Sequence, residues 1–201
     1  MSYENAIEEK LTWTTRIENT LSTIGLREQF LLKDKDTYSK ALQRLKDIFQ
    51  QEAFSDIQRD DSKLRTYSLF KTSWGYEQYL SEISSIEERT ALTKLRLSNH
   101  ALMIEKGRHV RTEASIRFCP FCPTEVEDEQ HFLMKCKCFS HLRKDLFIKT
   151  RITAPFSPYI PTEQKFITLM NNSTIIGKTA QYIFKAFELR EFLLAKCKVH
   201  D

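Results

Sequence analysis

The sequence predicts an all-α fold with one short cysteine-rich interruption, and three features carry that expectation. Glycine and proline are scarce, 4 and 5 in 201 residues, which favours long helices over tight turns. Apolar residues recur at helical steps along most of the chain, and no alternating pattern lasts long enough for a sheet. Cys119-Pro-Phe-Cys122, His131 and Cys136 then crowd four soft ligands into one window, spaced C-x2-C-x8-H-x4-C.

Taken in order, Ile7, Leu11, Ile17, Leu21 and Ile24 fit one helical face that stops at Gly25. Ala41, Leu42, Leu45, Ile48 and Phe49 mark a second amphipathic helix. Shorter helices are expected from Lys63 to Phe70 and from Tyr76 to Ile83, parted at Ser73-Trp74-Gly75. A longer one runs from Ile86 to Ile104 and ends at Gly107. The stretch from Glu125 to Phe147 reads as helix, with Thr124-x-x-Glu127 as a capping box. Pro155, Pro158 and Pro161 mark a linker, and Ile176, Ala180, Ile183, Phe184, Phe187 and Leu194 form the apolar stripe of a last helix. The expected divisions are an N-terminal helical region at 1–60, a helical core with the cysteine-rich insertion at 61–150, and a linker plus C-terminal helix at 151–201. Phe49, Phe54, Phe184 and Phe187 are assigned to cores, as are Trp13 and Trp74.

Composition excludes several classes. No apolar run approaches the ~18–20 residues of a membrane span, and no apolar leader follows Met1. Five cysteines, three of them in one cluster, suit a reducing nuclear or cytoplasmic compartment better than a disulfide framework. The chain lacks G-x-x-x-x-G-K-[ST], G-x-G-x-x-G and H-E-x-x-H, so nucleotide-binding and zinc-protease chemistry are without their usual residues. Asp60-Asp61 follows a polar helix end rather than an apolar strand and reads as a solvated terminus, not as a polymerase metal site. No enzymatic activity is expected.

The cysteine cluster points to zinc. Zn2+ takes four N or S ligands in a tetrahedron, and a C-x2-C turn can offer it two thiolates at once. Cys119, Cys122, His131 and Cys136 would close the shell and leave no position for a reactive water. The alternatives are inert buried thiols, a C-x2-C redox pair, or Cys138 in place of Cys136, with His141 a further spare. Arg117, Lys135 and Lys137 are expected to favour the thiolate forms. One geometric obstacle stands out. On a regular helix His131 and Cys136 lie about 140° apart, so a shared ion requires the helix to start late, end early or distort between them.

Charge suggests a partner. The chain is mildly basic at +4, but Arg89, Lys94, Arg96, Lys106, Arg108, Arg111 and Arg117 face only Glu105 and Glu113. Arg89, Arg96 and His100 fall within about 40° on one helical face, with Leu92, Leu95 and Leu102 beside them. That is either a solvated charged face or a track for a polyanion. Arg89, Arg96, Arg108, Arg111, Arg117, Lys135 and Lys137 are the candidate phosphate contacts. Phe121 either packs under the loop or stacks on an unpaired base.

Lys63-Leu-Arg-Thr-Tyr-Ser-Leu-Phe-Lys71, Ala91-Leu-Thr-Lys-Leu-Arg-Leu-Ser98, Ile104-Glu-Lys-Gly-Arg108, Cys119-Pro-Phe-Cys122, Glu127-Asp-Glu-Gln-His-Phe-Leu-Met-Lys-Cys136 and Leu142-Arg143 occur in that order. The series resembles the zinc-knuckle tail downstream of the reverse-transcriptase domain in animal non-LTR, LINE-type retrotransposon proteins. The resemblance implies Cys119, Cys122, His131 and Cys136 as ligands, RNA or DNA as partner, and a reverse transcriptase acting with the tail. Lys137 departs from the proline the family often has after its last cysteine. The expectation is thus an all-α helical bundle with a small zinc-knuckle insertion, non-catalytic and nucleic-acid-interacting. The alternative is a protein–protein interaction domain that zinc merely staples.

Overall fold

The computed structural model describes residues 3–59, 62–150 and 159–197, with side chains from residue 13 onward. Asp60-Asp61 and the prolines Pro155 and Pro158 lie outside the described residues, as do the side chains of Ile7 and Leu11. Ten α-helices are described: α1 (Tyr3–Thr23), α2 (Arg27–Leu31), α3 (Thr37–Gln58), α4 (Arg65–Ser68), α5 (Tyr79–Glu82), α6 (Ile86–Arg96), α7 (Met103–His109), α8 (Ser140–Thr150), α9 (Thr162–Asn171) and α10 (Ser173–Cys197). Between α7 and α8 lies a two-stranded antiparallel sheet, β1 (Phe118–Cys119) and β2 (Cys122–Val126). The fold is therefore mainly α. The all-α expectation omitted this sheet because β1 spans only two residues, too few for any alternation to show.

Two compact units divide the chain, Met1–Asp56 and Ile57–Asp201. In the first, Leu21, Ile24 and Leu26 are buried, with Ile17, Ala41 and Ile48 packed on them. α1 ends at Gly25 as expected. Gly25 sits at φ 70°, and Leu26 N–H donates back to Leu21 C=O at 2.7 Å, closing a left-handed helix cap. Leu42, Leu45 and Phe49 point outward, and Trp13 is 65% exposed, so the core roles assigned to Phe49 and Trp13 fail.

The second unit is built around α10, which packs against α6, α8, α9 and α5. Its core joins Leu92, Leu95, Leu102, Phe132, Leu133, Phe139, Phe166, Leu169 and Ile183, all essentially inaccessible. The apolar stripe of α10 forms as expected: Ile176, Ala180 and Ile183 are buried, and Phe184 and Phe187 pack against the same core. Trp74 instead stands 46% exposed.

The helix expected from Ile86 to Ile104 is two helices. Ser98 adopts φ 49°, and Asn99 N–H donates to Lys94 C=O at 2.8 Å, the same cap geometry without a glycine. α7 runs past Gly107 to His109, closed by Arg111 at φ 58° and a 2.8 Å bond from Thr112 N–H to Gly107 C=O. Gly107 has a different purpose. A Cβ there would stand 2.6 Å from Arg117 Cγ, so the glycine admits the Arg117 side chain across the helix.

Candidate metal centre

Two local devices place the four candidate ligands of the Cys119–Cys136 window, a hairpin for the first pair and a turn for the second. Cys119 and Cys122 pair across the β1–β2 hairpin, whose two-residue turn is Pro120-Phe121. That register turns both side chains to one end of the hairpin. Glu127 N–H donates to Arg117 C=O at 2.9 Å, and Ile104 N–H donates to Glu127 C=O at 3.1 Å, tying the hairpin to α7.

The expected helix from Glu125 is replaced up to Ser140. Thr124 lies in β2 and Glu127 is a buried ion-pair partner, so no capping box forms. Asp128 takes the capping role, its Oδ1 accepting from His131 N–H at 2.6 Å. His131–Lys135 is a π turn, and Cys136 N–H donates to His131 C=O at 2.8 Å. A bond from residue i+5 to residue i sets the two nearly one above the other, where a regular helix would separate them by about 140°. The required distortion is this π turn. Cys136, at φ −51° and ψ 125°, then leaves the helix, and a 3-10 turn over Lys137–Phe139 leads into α8.

The result is one closed group. The ligand atoms of Cys119, Cys122, His131 and Cys136 all lie within 4.8 Å of one another. Cys136 Sγ is 4.0 Å from Cys119 Sγ and 3.9 Å from Cys122 Sγ. Tetrahedral zinc with Zn–S bonds near 2.3 Å separates its sulfurs by about 3.8 Å, so the spacing fits an ion and is far too long for a disulfide. Both ring nitrogens of His131 are buried without a hydrogen-bond partner. An imidazole left so is costly unless a metal takes one nitrogen. Donor set, spacing and orphaned imidazole together fit a tetrahedral ion of the zinc kind.

The crowded thiols resist ionisation. Contact with Cys136 and burial push the Cys119 thiol up to about 12, the reverse of the lowering expected from nearby basic residues. Three crowded sulfurs become thiolates together only around a positive charge. Cys138 stands outside the four-residue group, its thiol raised by burial, and His141 is exposed. Phe121 is half-buried and meets Phe139 edge-on at 6.4 Å, so it packs beneath the loop.

Sequence reasoning missed the supports around this group. Arg143 on α8 donates from Nε to Leu133 C=O at 2.9 Å and from Nη2 to Cys136 C=O at 2.7 Å, locking both ends of the turn. Tyr182 Oη donates to Leu133 C=O at 3.2 Å, and burial raises its hydroxyl to about 12. Arg190 on α10 holds Glu127, whose Oε1 is 4.0 Å from Cys119 Sγ. The signal was present: Ile176, Ile183 and Arg190 fall seven apart on the apolar stripe, where an arginine needs a buried acid.

The seven candidate phosphate contacts separate into two groups. Arg96 is 2% exposed, donates to Met170 C=O and Glu77, and lies 4.2 Å from the Phe70 ring. Arg89 Nη1 donates to Leu80 C=O and Ile83 C=O, closing α5. Arg117 donates to Thr112 C=O and Ile104 C=O. These three hold the fold together, and the cationic face expected from Arg89, Arg96 and His100 does not form. His100 instead donates to Glu129, a buried carboxylate that Arg65 also grips. Arg108 pairs with Glu105, while Arg111, Lys135 and Lys137 are exposed.

No family model, curated protein or solved structure matches this chain. Among the described residues, no helix is long and apolar enough to cross a membrane.

Proposed function

We propose that this chain is a non-catalytic, zinc-stapled module that contacts nucleic acid through cations beside the metal loop. The observation that carries the reading is the closed Cys3His group with its unsatisfied imidazole. Four protein ligands leave zinc no position for a water nucleophile, so the ion serves as a structural staple.

The nucleic-acid part rests on what remains exposed. Lys135 and Lys137 flank Cys136, and Lys106, His109 and Arg111 close α7, which packs against β1. Zinc would fix these two segments relative to each other. Phosphate contacts of this kind position a protein without reading sequence, so binding is expected to be weakly specific. The retrotransposon origin, and a reverse transcriptase as partner in trans, are supported by the ordered residues between Lys63 and Cys136 that resemble LINE-type tails. A nuclear or cytoplasmic location follows from the same reading.

Fluorescence anisotropy with single-stranded RNA and DNA tests it. Engagement of ~4 phosphates gives a slope of log K against log salt of about −3. Lys135→Glu with Lys137→Glu should flatten that slope while zinc content stays at one per chain. Absence of salt-sensitive binding by the zinc-loaded chain would favour the protein-interaction reading.

A further inference from the structure

The loop between α4 and α5, the end of α6 and the start of α10 line a cavity of about 240 Å³. Phe70, Tyr79 and Ile176 form its buried lining, with the Arg96 guanidinium 4.2 Å from the Phe70 ring and 4.6 Å from the Tyr79 ring. Thr72, Ser73, Gln78, Asn171 and Ser173 form its exposed lining. A cavity with a buried floor and a polar mouth admits the end of a molecule more readily than the middle of a strand.

Charge inside the cavity does not balance. Lys71 and Arg96 share one carboxylate, Lys71 at Glu77 Oε1 and Arg96 at Glu77 Oε2, so one positive charge is left over. Burial lowers the Arg96 pKa despite that carboxylate, the mark of an under-compensated cation. Nη1 and Nη2 of Arg96 are both engaged, but its Nε is buried and meets no acceptor. Glu82, at the exposed edge, is the acid of the lining that stands outside this network.

The first turn of α10 adds to the positive side. This helix of 25 residues lines the cavity through Ser173 and Ile176, which brings the positive end of its dipole there. Thr174 N–H donates to Asn172 Oδ1 and Ile175 N–H to Asn172 C=O, while Ser173 N–H meets no acceptor among the described residues. Free backbone N–H groups at a helix start, beside a buried guanidinium, suit an anion. The hydroxyl and amide groups of the exposed lining outnumber what the two oxygens of a carboxylate can use. The three terminal oxygens of a phosphate monoester match them better.

We propose that this cavity binds a terminal phosphate group, with Lys71, Ser173 and the first turn of α10 as donors and Arg96 as the charge beneath them. A nucleic-acid 5′ end as the source of that group rests on the proposed function, whereas the phosphate site itself does not.

Amide NMR of the full zinc-loaded chain, titrated with inorganic phosphate and with AMP, tests it. The Gly75 and Ser173 amides are expected to shift saturably with both probes. Ser173→Glu sets a carboxylate in the cavity while suiting a helix N-terminus, and should weaken both probes about tenfold. Thr174→Glu adds the same charge to the same turn outside the lining and should weaken them less, and Glu82→Gln should tighten them. Single-stranded RNA carrying a 5′-phosphate or a 5′-hydroxyl identifies the source. A nucleic-acid end predicts tighter binding of the phosphorylated strand by wild type but not by Ser173→Glu. Equal binding of the two strands, with both small probes still shifting the amides, would assign the site to free phosphate esters. Salt-sensitive binding of the 5′-hydroxyl strand reports on the metal loop alone, so failure there is read separately. Phosphate and AMP that leave Gly75 and Ser173 unmoved, or that bind Ser173→Glu as tightly as wild type, would overturn the proposal.

Discussion

Arg190 grips Glu127 with two parallel hydrogen bonds, Nε to Oε1 at 2.8 Å and Nη2 to Oε2 at 2.7 Å, and both side chains are 1% exposed. The pair joins the longest helix of the second unit to the segment between the hairpin and His131. Glu127 Oε2 also accepts from Met103 N–H at 2.7 Å, so one carboxylate fixes α10, α7 and the ligand loop.

Removing one partner of such a pair leaves the other charge buried and bare. Arg190→Ala should cost about 3–5 kcal/mol in urea unfolding. Arg190→Met combined with Glu127→Leu should recover only part of that, because Met103 N–H then loses its acceptor. Full recovery would show that the carboxylate does not organise the loop.

The metal ligands are expected to separate cleanly from their neighbours. Cys119→Ser and His131→Ala should lose zinc and destabilise the hairpin and π turn, whereas Cys138→Ser should keep one zinc per chain. Calorimetry in buffers of different ionisation enthalpy should show about three protons released per zinc at neutral pH, one from each thiol.

Arg96 and the loop lysines should show crossed effects. Arg96→Leu strands Met170 C=O and part of Glu77, and should destabilise by about 1–3 kcal/mol without altering the salt slope of nucleic-acid binding. Lys135→Glu with Lys137→Glu should alter the slope and leave stability near wild type. The opposite pattern would return Arg96 to the binding surface.

Glu129 gives a pH signature. Burial opposes its ionisation, but the hydrogen bond from His100 and the Arg65 charge prevail and hold its carboxyl down at about 2. A carboxyl lowered on folding contributes stability that is fully present above its unfolded value, near 4.5. That stability is lost as pH falls through about 2. The advantage of wild type over Glu129→Gln should therefore be constant from pH 7 to 5 and shrink below. Acid strips metal from both proteins, so the difference isolates the carboxylate.

Much of the fold was legible where one local rule dominates. Gly25 ends α1, and the stripe of Ile176, Ala180 and Ile183 sets the buried face of α10, because a left-handed cap and a 3.6-residue period are written in adjacent residues. The break after Arg96 was missed because Ser98 and Arg111 take left-handed caps usually left to glycine, while Gly107 serves a packing contact with Arg117. Arg89, Arg96 and Arg117 looked like a surface because a charge pattern does not say which guanidinium has a carbonyl to meet. Their partners lie 5 to 74 residues away along the chain. At the metal group the ligand identities and even the need for a distorted helix could be read from spacing. The form of the distortion could not, since it depends on Arg143 and Tyr182 arriving from other helices.

X-ray absorption at the zinc edge tests the central claim most directly. The account predicts one zinc per chain, with three sulfurs near 2.3 Å and one nitrogen near 2.0–2.1 Å, unchanged in Cys138→Ser. A fourth sulfur, an oxygen from water in the shell, or a purified chain that takes up no zinc would contradict it.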